Sequence, residues 1–440
     1  MNYIEKQLLL SSAVKAIDFL GCTTSQLKRP LQRFRFEDEP LSSTGADPMQ
    51  TLDLLHQQGG DTHEELGEFA LCMAETVTPA LATSWLMSSW NLRLRPQMYA
   101  NREVVGNIRA ATGRWLKQLL PIEDESSLYF LPDQLTANFR GLVMARDALL
   151  RQMNWETGVR GLFNAPLISV VASSALSEHG RAALSLAGFG GGNITYAPTL
   201  EDGTMDLEKL PIIHERTIVY VQAMHPITGA IENDDVIRYA KERGAWVHVD
   251  APVTLWMNLS PNKRGLFSSY QLADSWVTDT NLWFESPEEL SILACRKATG
   301  ERMSQGSLHT RDSAMATLWA SLRSLGKSGL QSRILRTTVY ADYIAQKLAG
   351  SSMEVLGGGR CCHVLISFGK EQLARTACDA LIRAGAYEAG LVYWRGKMRI
   401  RLPLVSWKHT PEWVESIVIA LHDIASEQKD TASGDLASAS

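Results

Sequence analysis

Asp250 closes an apolar run, Trp246-Val247-His248-Val249, that reads as a buried strand. An acid at the carboxyl end of a parallel strand lies where open α/β sheets bind their ligands. Other polar residues fall in turns beside apolar runs and are expected to approach the same cleft. These are Asp133 and Gln134 ahead of a helix, His225 and Thr228 in a loop after a strand, and Asn281 just beyond another strand. A histidine and a carboxylate in one cleft support general acid–base chemistry, with His225 as acid or base and Asp250 orienting it. The alternative is a set of polar side chains lining a water-filled cleft. His248 alternates with Asp250 along the strand and reads as a core histidine with satisfied hydrogen bonds.

Those residues need a sheet to hold them. Residues 167–172, 217–222, 246–250, 274–279 and 290–295 are short apolar runs of strand length. Helical patterns at 177–186 and 234–243 fall between them, so strand, helix, strand repeats as a βαβ unit and a mostly parallel sheet is expected. Ahead of the sheet, 2–20 reads as a helix, 30–60 as a long loop, and 63–90 and 102–119 as helices. Beyond it, a helix at 312–325 ends at Gly326 and another covers 338–348. Strands within 354–369 and 391–404 surround a helix at 371–383, and a last helix covers 411–424. The division expected is a helical segment at 1–119, a large α/β domain at 120–330, a small α/β domain at 331–425 and a Ser/Ala/Asp-rich disordered tail at 426–440.

A chain of 440 residues is long enough for two packed regions. A hydrophobic share of 45% and a charged share of 21% are those of an ordinary globular protein. The formal net charge of −5 argues against nucleic acid or an anionic membrane as main partner. The six cysteines form no CxxC pair and no metal-ligand spacing with histidine, so buried free thiols in a reducing compartment, and no metal, are expected. No apolar run is long enough to span a bilayer, and the start of the chain lacks a basic, cleavable leader. Cytoplasmic location is the expectation.

Several stretches taken together resemble the group II pyridoxal-phosphate-dependent amino-acid decarboxylases of fold type I. They are His248-Val249-Asp250-Ala251, then Ala273-Asp274-Ser275, and a strand running into Thr280-Asn281-Leu282-Trp283, where the family ends on His-Lys-Trp. Ala137-Asn138 and Ala145-Arg146-Asp147 match the family helix beginning TEAN and ending AARD, and 224–231 matches the loop written GTTxxGAID. The resemblance covers most of residues 60–425. It implies a three-layer large domain, a small C-terminal domain and an N-terminal segment that wraps the other subunit of a homodimer.

The same resemblance implies that Asp250 pairs with the pyridine nitrogen and that Leu282 stands where the Schiff-base lysine belongs. Leu176 stands for the stacking histidine, and Leu131 to Leu135 for the TSGGT phosphate loop. Lys297 and Lys327 read as surface charges, not substitutes. Arg399 and Arg401 lie on a strand that in the family carries an arginine near the substrate. The expectation drawn is a decarboxylase-like protein with no cofactor: a noncatalytic homologue pairing with itself or an active paralogue, or a pocket turned to another small molecule. The alternative is an amino-acid carboxy-lyase that binds pyridoxal phosphate non-covalently or through an unrecognised lysine.

Overall fold

The computed structural model describes residues 3–21, 47–49, 53, 78–94, 98–284, 286–296, 311–356, 361–384, 386, 389–404 and 409–437. The chain forms two units, residues 1–67 and 68–440. In the first, Tyr3–Gly21 is one helix, free of proline and of internal glycine, and it exposes Leu9, Leu10, Val14 and Ile17. The loop expected at 30–60 and most of the helix expected at 63–90 lie outside the described residues; Thr78–Leu94 is helical.

In the second unit seven strands form one sheet. They are β1 (Ser127–Leu131), β2 (Ser169–Ser173), β3 (Ile194–Ala197), β4 (Thr217–Gln222), β5 (Trp246–Asp250), β6 (Ser275–Asp279) and β7 (Ser291–Cys295), in the order β1-β7-β6-β5-β4-β2-β3. Strands β3, β2, β4, β5 and β6 run parallel, while β7 is antiparallel to both β6 and β1. The sheet is therefore mostly parallel, as the βαβ pattern predicts. Every residue of β4 and β5 is buried, because helices cover both faces. On one face Leu142, Met144, Ala183 and Leu184, from the helices Gln134–Gln152 and Glu178–Leu186, pack with Tyr220 and Leu131. On the other, Val219, Val247 and Val249 pack with Val236, Ile237, Trp256, Trp276 and Trp283.

A second sheet contains β8 (Glu354–Leu356), β9 (His363–Ser367), β10 (Gly390–Trp394) and β11 (Lys397–Pro403), all antiparallel, in the order β10-β11-β9-β8. It has its own core, to which the helices Glu371–Arg383 and Pro411–Ala437 contribute. The helix Asp312–Leu348 serves both cores: Leu318 to Ile334 enter the first, and Tyr340 to Leu348 the second. Gly326 is non-helical, with φ +62° where a non-glycine residue is strained, so the helix expected to end there does end, and a second follows directly across the kink to Leu348 instead of starting at 338. The last helix continues past 425, where the composition predicts a tail.

Candidate functional site

Parallel pairing sets Asp250 opposite Gln222 at the carboxyl ends of β5 and β4. Its side chain is buried and accepts from Gln134 Nε2, at 2.9 Å on Oδ1 and 3.2 Å on Oδ2, and from the Tyr220 hydroxyl at 2.8 Å on Oδ2. Burial raises the carboxyl pKa above its ordinary value, and the donors from Gln134, Tyr220 and Asn138 oppose that rise. Two residues back, His248 bonds Ser275 Oγ through Nδ1 at 2.8 Å and Asn138 Oδ1 through Nε2 at 2.9 Å. Asn138 Oδ1 can only accept, so Nε2 carries the imidazole hydrogen and Nδ1 accepts from the Ser275 hydroxyl, whose oxygen in turn accepts from the Trp246 indole. Burial holds this histidine neutral, with a pKa of about 3. It is the satisfied core histidine that the strand alternation predicts. Gly141 makes the arrangement possible, since a Cβ there would fall 2.5 Å from His248 Cε1.

Asp133 and Gln134 divide their work. Asp133 is the N-cap of the helix Gln134–Gln152 and accepts from the Thr136 backbone N–H at 2.6 Å, so its own carboxylate occupies that helix terminus. Leu176 is buried next to the Tyr220 hydroxyl, as the contacts around Gly180 show. Asn281 heads the short helix Asn281–Phe284, donates its backbone N–H to the Asp279 carboxylate, and buries an Oδ1 that has no partner among the described residues. Burial drives Asp279 up to about 7. Leu282 is 7% exposed and belongs to the tryptophan-rich core.

His225 sits elsewhere. Met224 and Ile231 bridge across its loop, His225 N–H donates to Ala230 O at 2.8 Å, and Gly229, at φ +70°, closes the turn. The ring Nδ1 accepts from Thr228 N–H at 3.2 Å. The Thr228 hydroxyl spends its proton on Asp202 O at 2.6 Å, so Nδ1 is bare and the imidazole hydrogen is on Nε2. The ring lies against Trp394, with centroids 4.5 Å apart. Burial first, then His363 and Arg395, lower its pKa to about 4. Asp250 takes no part, so the expected His225–Asp250 pair is not formed and the orienting group is Thr228.

A cavity of about 540 Å³ adjoins His225, lined also by 174–178, Arg181, Thr199, Trp394 and Arg395. Leu176 lines the cavity and also belongs to the core cluster of Tyr220, while Asp250 is not among the lining residues. Sequence reasoning misses Tyr220, Arg181 and Arg395. Tyr220 reads as one more apolar strand residue, and its partner comes from the neighbouring strand. Among the described residues no cluster of His, Cys, Asp and Glu could hold a metal, and no helix is long and apolar enough to cross a membrane.

No family model and no curated protein matches the sequence. Solved structures do. The glutamate decarboxylase domain of diaminobutyrate-pyruvate transaminase and L-2,4-diaminobutyrate decarboxylase from Vibrio parahaemolyticus superposes with a TM-score of 0.74 at 16% identity, covering 96% of this chain and 95% of that one. The fold is that of the decarboxylases. Oryza sativa TDC with PLP and tryptamine gives 0.73 at 18%, covering 97% and 99%, and Catharanthus roseus tryptophan decarboxylase with L-tryptophan gives 0.74 at 16%, covering 98% and 99%. These neighbours overturn the expectation that no cofactor is involved: they point to pyridoxal phosphate, because a fold shared over nearly the whole chain includes structures solved with it.

The residues around Asp250 meet that group in part. Asp250 is a buried acceptor suited to a protonated ring nitrogen, although Gln134 and Tyr220 already engage both its oxygens. The helix terminus at Gln134 offers no vacancy to a phosphate, being capped by Asp133. Lys209, Lys241 and Lys263 are tied to Asp206, Asp274 and Asp342, and Lys327 is exposed beyond the kink. Lys297 lies outside the described residues.

Proposed function

We propose that this decarboxylase-fold protein takes pyridoxal phosphate reversibly over Asp250, with no covalent link to the chain. Leu282 carries the reading. The residue aligned with the anchoring lysine is an aliphatic side chain packed in one core with Trp256, Trp276 and Trp283, and it has no amine with which to form a Schiff base. The retained acid at the end of β5 supports the ring-binding half of the proposal.

Pyridoxal phosphate, when bound, supplies an electron sink for amino-acid chemistry. This chain's own part is to hold Asp250 among neutral donors, to cover it with Leu176, and to keep His248 and His225 uncharged. A second reading is a subunit that pairs with its own copy or with a lysine-bearing decarboxylase chain. It is favoured by the exposed Leu9, Leu10, Val14 and Ile17 of the first helix.

The test is a titration of the purified protein with pyridoxal phosphate, followed by dialysis and, separately, by borohydride and intact-mass analysis. The expected result is a saturable spectral change that dialysis removes and no mass adduct on the chain. A stoichiometric chromophore that survives dialysis and is fixed by borohydride to a lysine overturns the proposal, as does the absence of any binding.

A further inference from the structure

The cavity beside His225 owes nothing to Asp250, and its own chemistry is cationic. Arg181 comes from the helix Glu178–Leu186 and Arg395 from the turn joining β10 to β11, so one belongs to the helix layer of the large sheet and the other to the small sheet. Arg181 spends Nε on Leu176 O at 3.0 Å and one terminal nitrogen on Ser174 O at 3.4 Å. Arg395 spends a single nitrogen, Nη2, on Leu200 O at 2.6 Å and on Thr199. A guanidinium has five donors, so most of each fork is left without a protein acceptor among the described residues. Neither arginine is in an ion pair among those residues. Glu178 is the one acid on the cavity wall, and it is exposed.

Two further observations point to a ligand. His225 is 4% exposed and lines the cavity, and its Nε2–H, left free of a protein hydrogen-bond partner among the described residues, is available to an acceptor there. Arg395 also sits at φ +48°, followed by Gly396 at +73°, in a two-residue hairpin turn of the kind that favours Asn-Gly. An arginine at the first position pays a backbone penalty there, and such strain collects where a side chain is needed in a fixed place. The cavity volume is that of a small-molecule site.

We propose that Arg181, Arg395 and the Nε2–H of His225 bind a small anion, a carboxylate or phosphate group, in the cavity under Trp394. The anion bridges the large sheet's helix layer to the β10–β11 turn. Forked donors suit a planar or tetrahedral oxyanion, and the buried imidazole adds one neutral hydrogen bond.

Calorimetric titrations of the full chain at low ionic strength with succinate, inorganic phosphate and the neutral analogue succinamide test this. Saturable binding of succinate or phosphate, with none of succinamide, is expected; succinate alone assigns a carboxylate and phosphate alone a phosphate ester. Arg181→Gln and Arg395→Gln should each weaken the bound anion about tenfold or more. Arg395→Gly guards against misfolding, because glycine relieves the left-handed turn: the variant should melt no lower than the parent and still lose the anion. The proposal is overturned if neither anion binds, if succinamide binds as well as succinate, or if Arg395→Gly binds the anion as tightly as the parent. Succinate carries no pyridine ring and pyridoxal carries no phosphate, so titrating each separately distinguishes failure of the anion site from failure of the reading of Asp250.

Discussion

Glu232 offers a sharp thermodynamic test of the loops around His225. Its carboxylate is buried and accepts from Met205 N–H at 3.1 Å through both oxygens and from Asn233 N–H at 3.0 Å through Oε1, pinning the 201–206 turn to the 223–232 loop. Burial dominates over these bonds and lifts the pKa from 4.5 to about 8. The folded protein therefore keeps a proton that the unfolded chain gives up. Between pH 4.5 and 8 the native state binds more protons, so stability is fully present below the lower value and is lost as pH rises through the upper one. At 1.36 kcal/mol per pH unit, that window amounts to a loss of about 5 kcal/mol at most, and about 2–5 kcal/mol as an order of magnitude.

Glu232→Gln removes the titration while keeping acceptors, since Met205 and Asn233 both reach Oε1. Urea unfolding of the two proteins from pH 5 to pH 9, read as a difference so that other groups cancel, should give near parity at the acid end. The variant should gain steadily above that, ending about 2–5 kcal/mol ahead. A difference that stays flat with pH, or that moves against the variant as pH rises, refutes the assignment of a buried protonated Glu232.

Tyr220→Phe removes one donor from the buried Asp250 and should cost about 1.5–3 kcal/mol in urea unfolding. Because that donor lowers the Asp250 pKa, the variant should also raise it further, and an unchanged Asp250 titration by NMR counts against the hydrogen bond. Gly203 and Gly326 both have positive φ, yet a Cβ at Gly203 would fall 2.8 Å from the His225 ring while Gly326 faces open space. Gly326→Ala should cost about 1–2 kcal/mol of backbone strain, and Gly203→Ala about 1–3 kcal/mol more with the imidazole displaced from Trp394; equal melting temperatures for the two variants refute the close packing.

The sheet was readable from sequence because its signal is local: five apolar runs of strand length, separated by helical patterns, admit few arrangements. The helix limits at 178–186 and 235–242 follow the same periodicity. Gly326 shows both sides of this: a positive-φ glycine ends the first helix as read, while the second helix starts at once, earlier than its own periodicity suggests, because Leu330 and Ile334 pack onto the large core. The site was harder for a related reason. Asp250 ends its strand and His225 lies just past one, so both read as facing one cleft. Which way such a side chain turns depends on partners distant in sequence, Gln134 for one and Trp394 for the other.

Those partners also set what Asp250 can do. A carboxylate that serves a ring nitrogen must be charged when the ring arrives, and burial works against that charge while Gln134 and Tyr220 support it. A ring bringing its own N–H has to displace a donor, and Gln134, on the first turn of a helix, is the one able to swing away; Tyr220, rooted in β4, is not. The exchange gives up a hydrogen bond worth about 1.5–3 kcal/mol to gain another of like strength, so the acid supplies orientation more than affinity. Under the proposed reading, Gln134→Ala should therefore tighten pyridoxal phosphate rather than weaken it, by up to about tenfold in Kd, because the incoming ring no longer competes with the chain's own amide. A Gln134→Ala protein that binds the cofactor less well than the parent would show that Gln134 is a ligand of the ring and not its rival.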